Sequence, residues 1–160
     1  MKGEYSIEIE ASREDVFDYL ADDDNIMDIV PNLVAHGFLD VKDGVVGTTF
    51  WHEYEEKGRK MKMTGVVSEH RKPEAMAVDM DGPVFTLVVR YTLDELGPQR
   101  TRLTQFSHAK MKHVFKIFGL LFGKKMQAEG EKVQRENFAR MKELIEAKYG
   151  QPAAAATSSD

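Results

Sequence analysis

Apolar and polar residues alternate from the start of the chain. Tyr5, Ile7 and Ile9 are separated by Ser6 and Glu8, the two-residue period of a strand with one buried face. The period then changes. Ser12 precedes Glu14 and Asp15, an N-cap followed by acidic residues in a first helical turn, and Val16, Phe17 and Leu20 share one face. A short helix is expected over 13–21. Asp22, Asp23 and Asp24 offer a second cap, and Ile26, Met27, Ile29 and Val30 follow at helical spacing until Pro31 stops the segment. From residue 33 the period of two returns in six runs, predicted as strands over 33–42, 45–56, 60–71, 75–80, 84–93 and 100–108. Short turns rich in Gly, Pro, Asp and Lys separate them, such as Lys42-Asp43-Gly44 and Leu96-Gly97-Pro98-Gln99. Connections this short join antiparallel neighbours, because parallel pairs need long crossovers.

The last pattern is helical. Phe118, Leu121, Phe122, Met126, Val133, Phe138, Met141, Leu144 and Ile145 recur three or four residues apart or in step with that spacing. They predict a helix over 114–148, about 50 Å long at 1.5 Å per residue. Gly119, Gly123 and Gly130 each cost about 1 kcal/mol against alanine, so a bend is expected in its first part. Gly150 is placed to cap it. The domain is expected over 1–149, and the polar, alanine-rich residues 150–160 read as a disordered tail.

Composition narrows the picture. A chain of 160 residues suits one domain. It has no cysteine, which excludes disulfides, Cys-ligated metals and thiol nucleophiles. With no apolar leader at its start, a cytoplasmic location is expected. The most apolar run, Val114–Phe122, is too short for a membrane span of about 20 residues. A net charge of -5 argues against a nucleic-acid surface, which rests on basic charge. Lys110, Lys112, Lys116, Lys124 and Lys125 flank the apolar run. A transient membrane contact is one reading of that cluster. A helix start packed under the sheet, with solvated lysines, fits its short charge run better.

Each strand has two registers, and the inward one is taken as the more apolar. That choice points Phe50, His52 and Tyr54 inward, with Met61, Met63, Val67, Met76, Val78 and Met80. It adds Phe85, Leu87, Val89, Tyr91, Leu93, Leu103, Gln105 and Ser107, while Phe118, Phe122, Met126, Val133, Phe138 and Met141 come from the long helix. Several of the 9 methionines fall on this face, and methionine repacks around irregular apolar shapes as readily as it fills a core. An apolar wall with a few orienting polar groups (His52, Tyr54, Tyr91, Gln105 and Ser107) is the make-up of a small-molecule pocket. Trp51 and Phe106 point outward and offer a patch for a second subunit, so the chain is expected as a monomer or homodimer.

Catalytic signatures are sparse. The five histidines, His36, His52, His70, His108 and His113, show no helical metal pair and no H-E-x-x-H, so neither metal nor cofactor is expected. The aspartates at 22–24 read as a helix cap rather than a calcium loop. His52 and Tyr54 share a face two residues apart, and with Tyr91 they offer an acid–base pair if they converge.

The order one strand, two short helices, six strands and one long helix resembles the helix-grip fold of the START-like superfamily. The resemblance is carried by IEIEASREDVFDYLADDDNIMDIVPNL at 7–33, DGVVGTTFWHEY at 43–54, GVVSEHRKPEAMAVDM at 65–80 and RYTLDELGPQRTRLTQF at 90–106. It covers roughly residues 3–148, and the nearest branch looks like the polyketide cyclase/dehydrase and lipid-transport group. It implies an α+β domain whose curved seven-stranded antiparallel sheet grips the C-terminal helix around a hydrophobic small molecule. Three roles follow as expectations: a carrier or sensor of a lipid, isoprenoid or polyketide-like molecule; a cyclase or dehydratase in the same cavity; and a protein-interaction module of chaperone-activator or ribosome-directed toxin type.

Overall fold

The computed structural model describes residues 1–30, 32–112 and 116–150, with side chains from residue 128 onward in the last stretch. Strand β1 (Lys2–Ile9) leads into helix α1 (Arg13–Ala21), a 3₁₀ turn (Asp23–Asn25) and helix α2 (Ile26–Ile29). Six strands follow: β2 (Leu33–Asp40), β3 (Thr49–Glu56), β4 (Arg59–Arg71), β5 (Ala75–Asp81), β6 (Phe85–Gly97) and β7 (Arg100–Met111). Helix α3 (Lys116–Tyr149) ends the domain.

Local chemistry sets the boundaries. Ser12 Oγ accepts from the Asp15 amide at 3.2 Å, and Asp22 Oδ1 accepts from the Asp24 amide at 3.0 Å, so both expected caps form. Lys57 and Gly58 both have positive φ, the twist that a two-residue hairpin needs between β3 and β4. At the end of α3 the Gly150 amide donates to Glu146 O at 2.8 Å, and a Cβ at Gly150 would collide with that same oxygen. The strand expected from residue 45 begins instead at Thr49. Residues 42–48 bond to one another: Val45 N donates to Lys42 O at 2.9 Å and Lys42 N to Thr48 Oγ1 at 3.0 Å. Val45 takes a φ of 66°, outside any strand conformation.

All seven strands form one antiparallel sheet in the order β1-β7-β6-β5-β4-β3-β2. The first strand pairs with the last, from Lys2 opposite His108 to Ile9 opposite Thr101. Bulges in β2 and in β4, between Val67 and Glu69, bend the sheet further than strand twist alone. The architecture is the expected α+β helix-grip: a curved seven-stranded sheet, two short helices and one long helix.

Two clusters form the interior. The larger joins Ile9, Val16, Phe17, Leu93, Leu103, Phe138, Met141 and Ile145 from β1, α1, β6, β7 and the end of α3. Tyr5 meets Phe138 edge-on with ring centroids 4.8 Å apart. Lys142 Nζ donates to Glu8 O at 2.7 Å, and the Glu10 amide donates to Glu146 Oε1 at 2.8 Å, fastening α3 to β1. The smaller cluster, Phe50, Met63 and Met80, sits on the sheet alone, with Tyr54, Met61, Val67, Val78, Phe85 and Leu87 partly covered around it.

Candidate functional site

Cross-strand pairing tests which side chains share the concave face. Phe50 lies opposite Gly65, Gly65 opposite Met80, and Met80 opposite Leu87. A second row runs Val67, Val78, Val89, Ser107, and a third Met76, Tyr91, Gln105. His52 pairs with Met63, Tyr54 with Met61, and Leu93 with Leu103. The inward residues expected on β3 to β7 therefore occupy one face. Phe50 lies over Gly65, where any Cβ would overlap its ring, so glycine makes room for the aromatic.

The face is not equally covered. Leu103 and Phe138 are fully buried in the larger cluster. They were expected among the ligand contacts, but core packing leaves them no free surface. Met63 is likewise closed over within the smaller cluster. By contrast Tyr54, Met61, Val78, Phe85, Leu87, Val89, Tyr91 and Gln105 keep free surface although they point inward. Val133, also expected inward, is 53% exposed. It stands five residues before Phe138, roughly 140° around the helix at 3.6 residues per turn, so it leaves the packed face. Phe122 and Met126, with Phe118, lie outside the described side chains. Trp51 and Phe106 do face out, but β3 and β7 are four strands apart, roughly 19 Å at the usual strand spacing, so they form no shared patch. Trp51 packs instead on Gly37 and carries Lys62 Nζ 4.2 Å from its ring centre.

Polar chemistry gathers at one end of this face. His52 is 8% exposed, and its Nδ1 lies 3.0 Å from the Tyr54 hydroxyl, which reaches Met80 Sδ at 4.0 Å. Burial, with the nearby charge of His36, holds the His52 pKa down at about 4. Burial pushes the Tyr54 phenol up to about 12. Tyr91 is raised as well, first by burial and then by the closeness of Tyr54. All three groups are neutral at pH 7. Among the described residues His52 Nε2 and the Tyr91 hydroxyl have no hydrogen-bond partner. Neither is counted among the closed-over orphan atoms, which are Arg13 Nε and Gln134 Nε2. Tyr91 is thus desolvated by burial, although the residue as a whole is only partly covered.

Two groups escaped the sequence reading. His36 lies opposite His52 with ring centroids 6.2 Å apart and nearly perpendicular. Asp23, on the 3₁₀ turn, has its carboxyl raised chiefly by burial, against the opposing pull of His36. A bulge between Leu33 and Ala35 moves His36 onto the inner face, which plain alternation from Leu33 would not do. A groove of about 580 Å³ is lined mainly by the outward-register residues Thr49, Thr64, Val66, Asp79 and Val88, with Gly65, Met80 and Leu87 also along it; neither His52 nor Tyr54 lines it. No cluster of three His, Asp or Glu among the described residues is arranged to hold a metal ion, and none of their helices is long and apolar enough to cross a membrane.

A bent antiparallel sheet that grips one long helix is the START-like, helix-grip fold. The chain belongs to the polyketide cyclase/dehydrase and lipid transport family, whose model matches residues 1–146. No curated protein matches it in sequence. Among solved structures it is similar to a protein from Thermus thermophilus, at 14% identity and a TM-score of 0.76, covering 92% of this chain and 99% of that one. It is also similar to the Zhui aromatase/cyclase of Streptomyces sp. R1128, at 16% identity and TM-score 0.69, covering 92% of each chain. A START superfamily protein from Mycobacterium smegmatis aligns at 17% identity and TM-score 0.62 over 84% of this chain and 97% of that one. At these identities the likeness establishes the fold.

Proposed function

We propose that the chain binds a hydrophobic small molecule, lipid-like, isoprenoid or polyketide-like, in a hollow between the concave sheet face and α3. The observation that carries this reading is Tyr91: deeply placed, hydrogen-bonded to nothing described, and yet not closed over. A phenol in that position without a partner costs free energy unless water or a ligand reaches it. The apolar wall is Met61, Val78, Phe85, Leu87 and Val89, and affinity comes from covering that surface at about 25 cal/mol per Å². Tyr54, Tyr91, His52 and Gln105 orient one end of the ligand. The role is that of an intracellular carrier or sensor, with ligand exchanged in solution or at a membrane surface. Titration with the neutral fluorophore Nile red tests it. The wild type binds one equivalent with a blue-shifted emission, and Val89→Trp, which fills the hollow, abolishes the signal while keeping a cooperative melt. Equal binding by both proteins contradicts the reading.

The 3.0 Å contact between His52 and Tyr54 favours one second reading, a cyclase or dehydratase. A neutral imidazole beside a phenol supplies a base and an acid to a carbonyl substrate. The Zhui protein is named an aromatase/cyclase, and this chain shares its fold. Turnover of a poly-β-ketone model substrate, lost in Tyr54→Phe with ligand binding intact, is the expected result under this reading. Absence of turnover in the wild type leaves the carrier reading alone.

A further inference from the structure

We propose that the interior site selects uncharged ligands bearing a hydroxyl or carbonyl group, and rejects carboxylates and phosphate esters of the same size. This inference rests on the binding reading above and names its ligand class.

The polar groups aimed inward include two imidazoles, two phenols, an amide and a hydroxyl, from His36, His52, Tyr54, Tyr91, Gln105 and Ser107. Among the described residues no lysine or arginine is buried; Arg59 shares the register of Met61 and Met63 at the hairpin end of the concave face but is exposed, as are the strand cations Lys60, Lys62, Arg90, Arg100 and Arg102. Several of these are spoken for on the outside: Lys60 holds Glu53 at 3.1 Å, Arg90 holds Glu69 at 3.1 Å, and Arg100 and Arg102 hold Glu8. Asp23 lies beside His36 and adds repulsion toward an anion on that side. An anionic head placed against His52 and Tyr91 loses its hydration and meets no buried lysine or arginine among the described residues.

Hydrogen-bond capacity points the same way. A neutral imidazole has one donor and one acceptor nitrogen. If the Tyr54 hydroxyl donates to Nδ1, Nε2 is the donor; if Nδ1 donates to Tyr54, whose proton then turns to Met80 Sδ, Nε2 is the acceptor. A ligand hydroxyl satisfies either tautomer, since it both donates and accepts. A carboxylate satisfies only one. Burial of the ring among Phe50, Met63 and Met80 works against a third, cationic state that would welcome an anion.

Displacement of Nile red from the full chain at pH 7.5 by dodecan-1-ol, dodecanoate and dodecyl phosphate separates the alternatives. The chains are equal, so only the head group varies. Dodecanol is expected to displace the dye at a concentration at least tenfold lower than either anion. The ratio has a ceiling near a thousandfold, because a carboxyl with an ordinary pKa of about 4.3 is neutral in roughly one molecule in a thousand at that pH. A second arm uses His52→Arg, with its melt recorded alongside; where it folds, the preference narrows or reverses. Where it does not fold, the wild-type ratio alone decides. Dodecanoate or dodecyl phosphate displacing as well as dodecanol overturns the selectivity and leaves the binding reading standing. Failure of the wild type to bind Nile red overturns both.

Discussion

His52 carries a charge-state commitment that stability measurements can read. Its pKa falls from 6.5 to about 4 on folding, because the folded chain buries the ring beside His36. Above pH 6.5 both states hold it neutral and it contributes nothing to the pH dependence. Between 6.5 and about 4 the unfolded chain takes up a proton that the folded chain refuses. Stability therefore falls with falling pH across that window, by about 3 kcal/mol for a shift of this size. Urea titrations of the wild type and His52→Gln from pH 7 to pH 4 are expected to show that part of the slope in the first and not in the second. Glycine offers a second test at this scale. Gly65→Ala drives a methyl into the Phe50 ring and is expected to cost about 1–3 kcal/mol, whereas Gly44→Ala meets nothing within 4 Å and changes little. The inward placement of individual residues was legible in the sequence where alternation ran unbroken, as for His52, Tyr54, Tyr91 and Gln105. It was hidden where a bulge shifted the count by one. His36 follows the bulge after Leu33, and His70 follows the one after Val67, which turns it toward Phe17 at 5.1 Å between ring centroids.

At the scale of elements, α3 has two kinds of apolar position. Phe138, Met141 and Ile145 are locked against β1 and α1, while Val133 is turned away from that face. Phe138→Ala is expected to cost about 3–5 kcal/mol in urea unfolding, and Val133→Ala to stay within about 0.5 kcal/mol of the wild type. Spacing alone placed all four on one stripe, because positions three, four and five apart blur over a long helix. Capping chemistry fared better, since Ser12 and Asp22 act through bonds to amides two or three residues away. The start of β3 was misplaced for the opposite reason. Val45 and Val46 carry strand propensity, but the hydrogen bonds of Lys42, Val45 and Thr48 close a local loop that propensity does not register.

Across the whole molecule the order of elements was readable because the short turns between β2 and β7 leave an antiparallel meander almost no freedom, and β1 then closes on β7. The division of the interior was not readable. Leu103 and Phe138 have the same apolar character as Leu87 and Val89, and only the docking of α1 and the end of α3 decides which are sealed. In the proposed binding role, the closed core at one end holds the fold, and the partly covered residues around Phe50, Met63 and Met80 are the surface left to a ligand. Native mass spectrometry of the purified protein reads this most directly. A wild-type chain that carries one apolar adduct, or takes one up from added dodecanol, beside a Val89→Trp chain of bare mass, is the predicted result. A wild type that stays at the mass of its own 160 residues under both conditions would contradict the account.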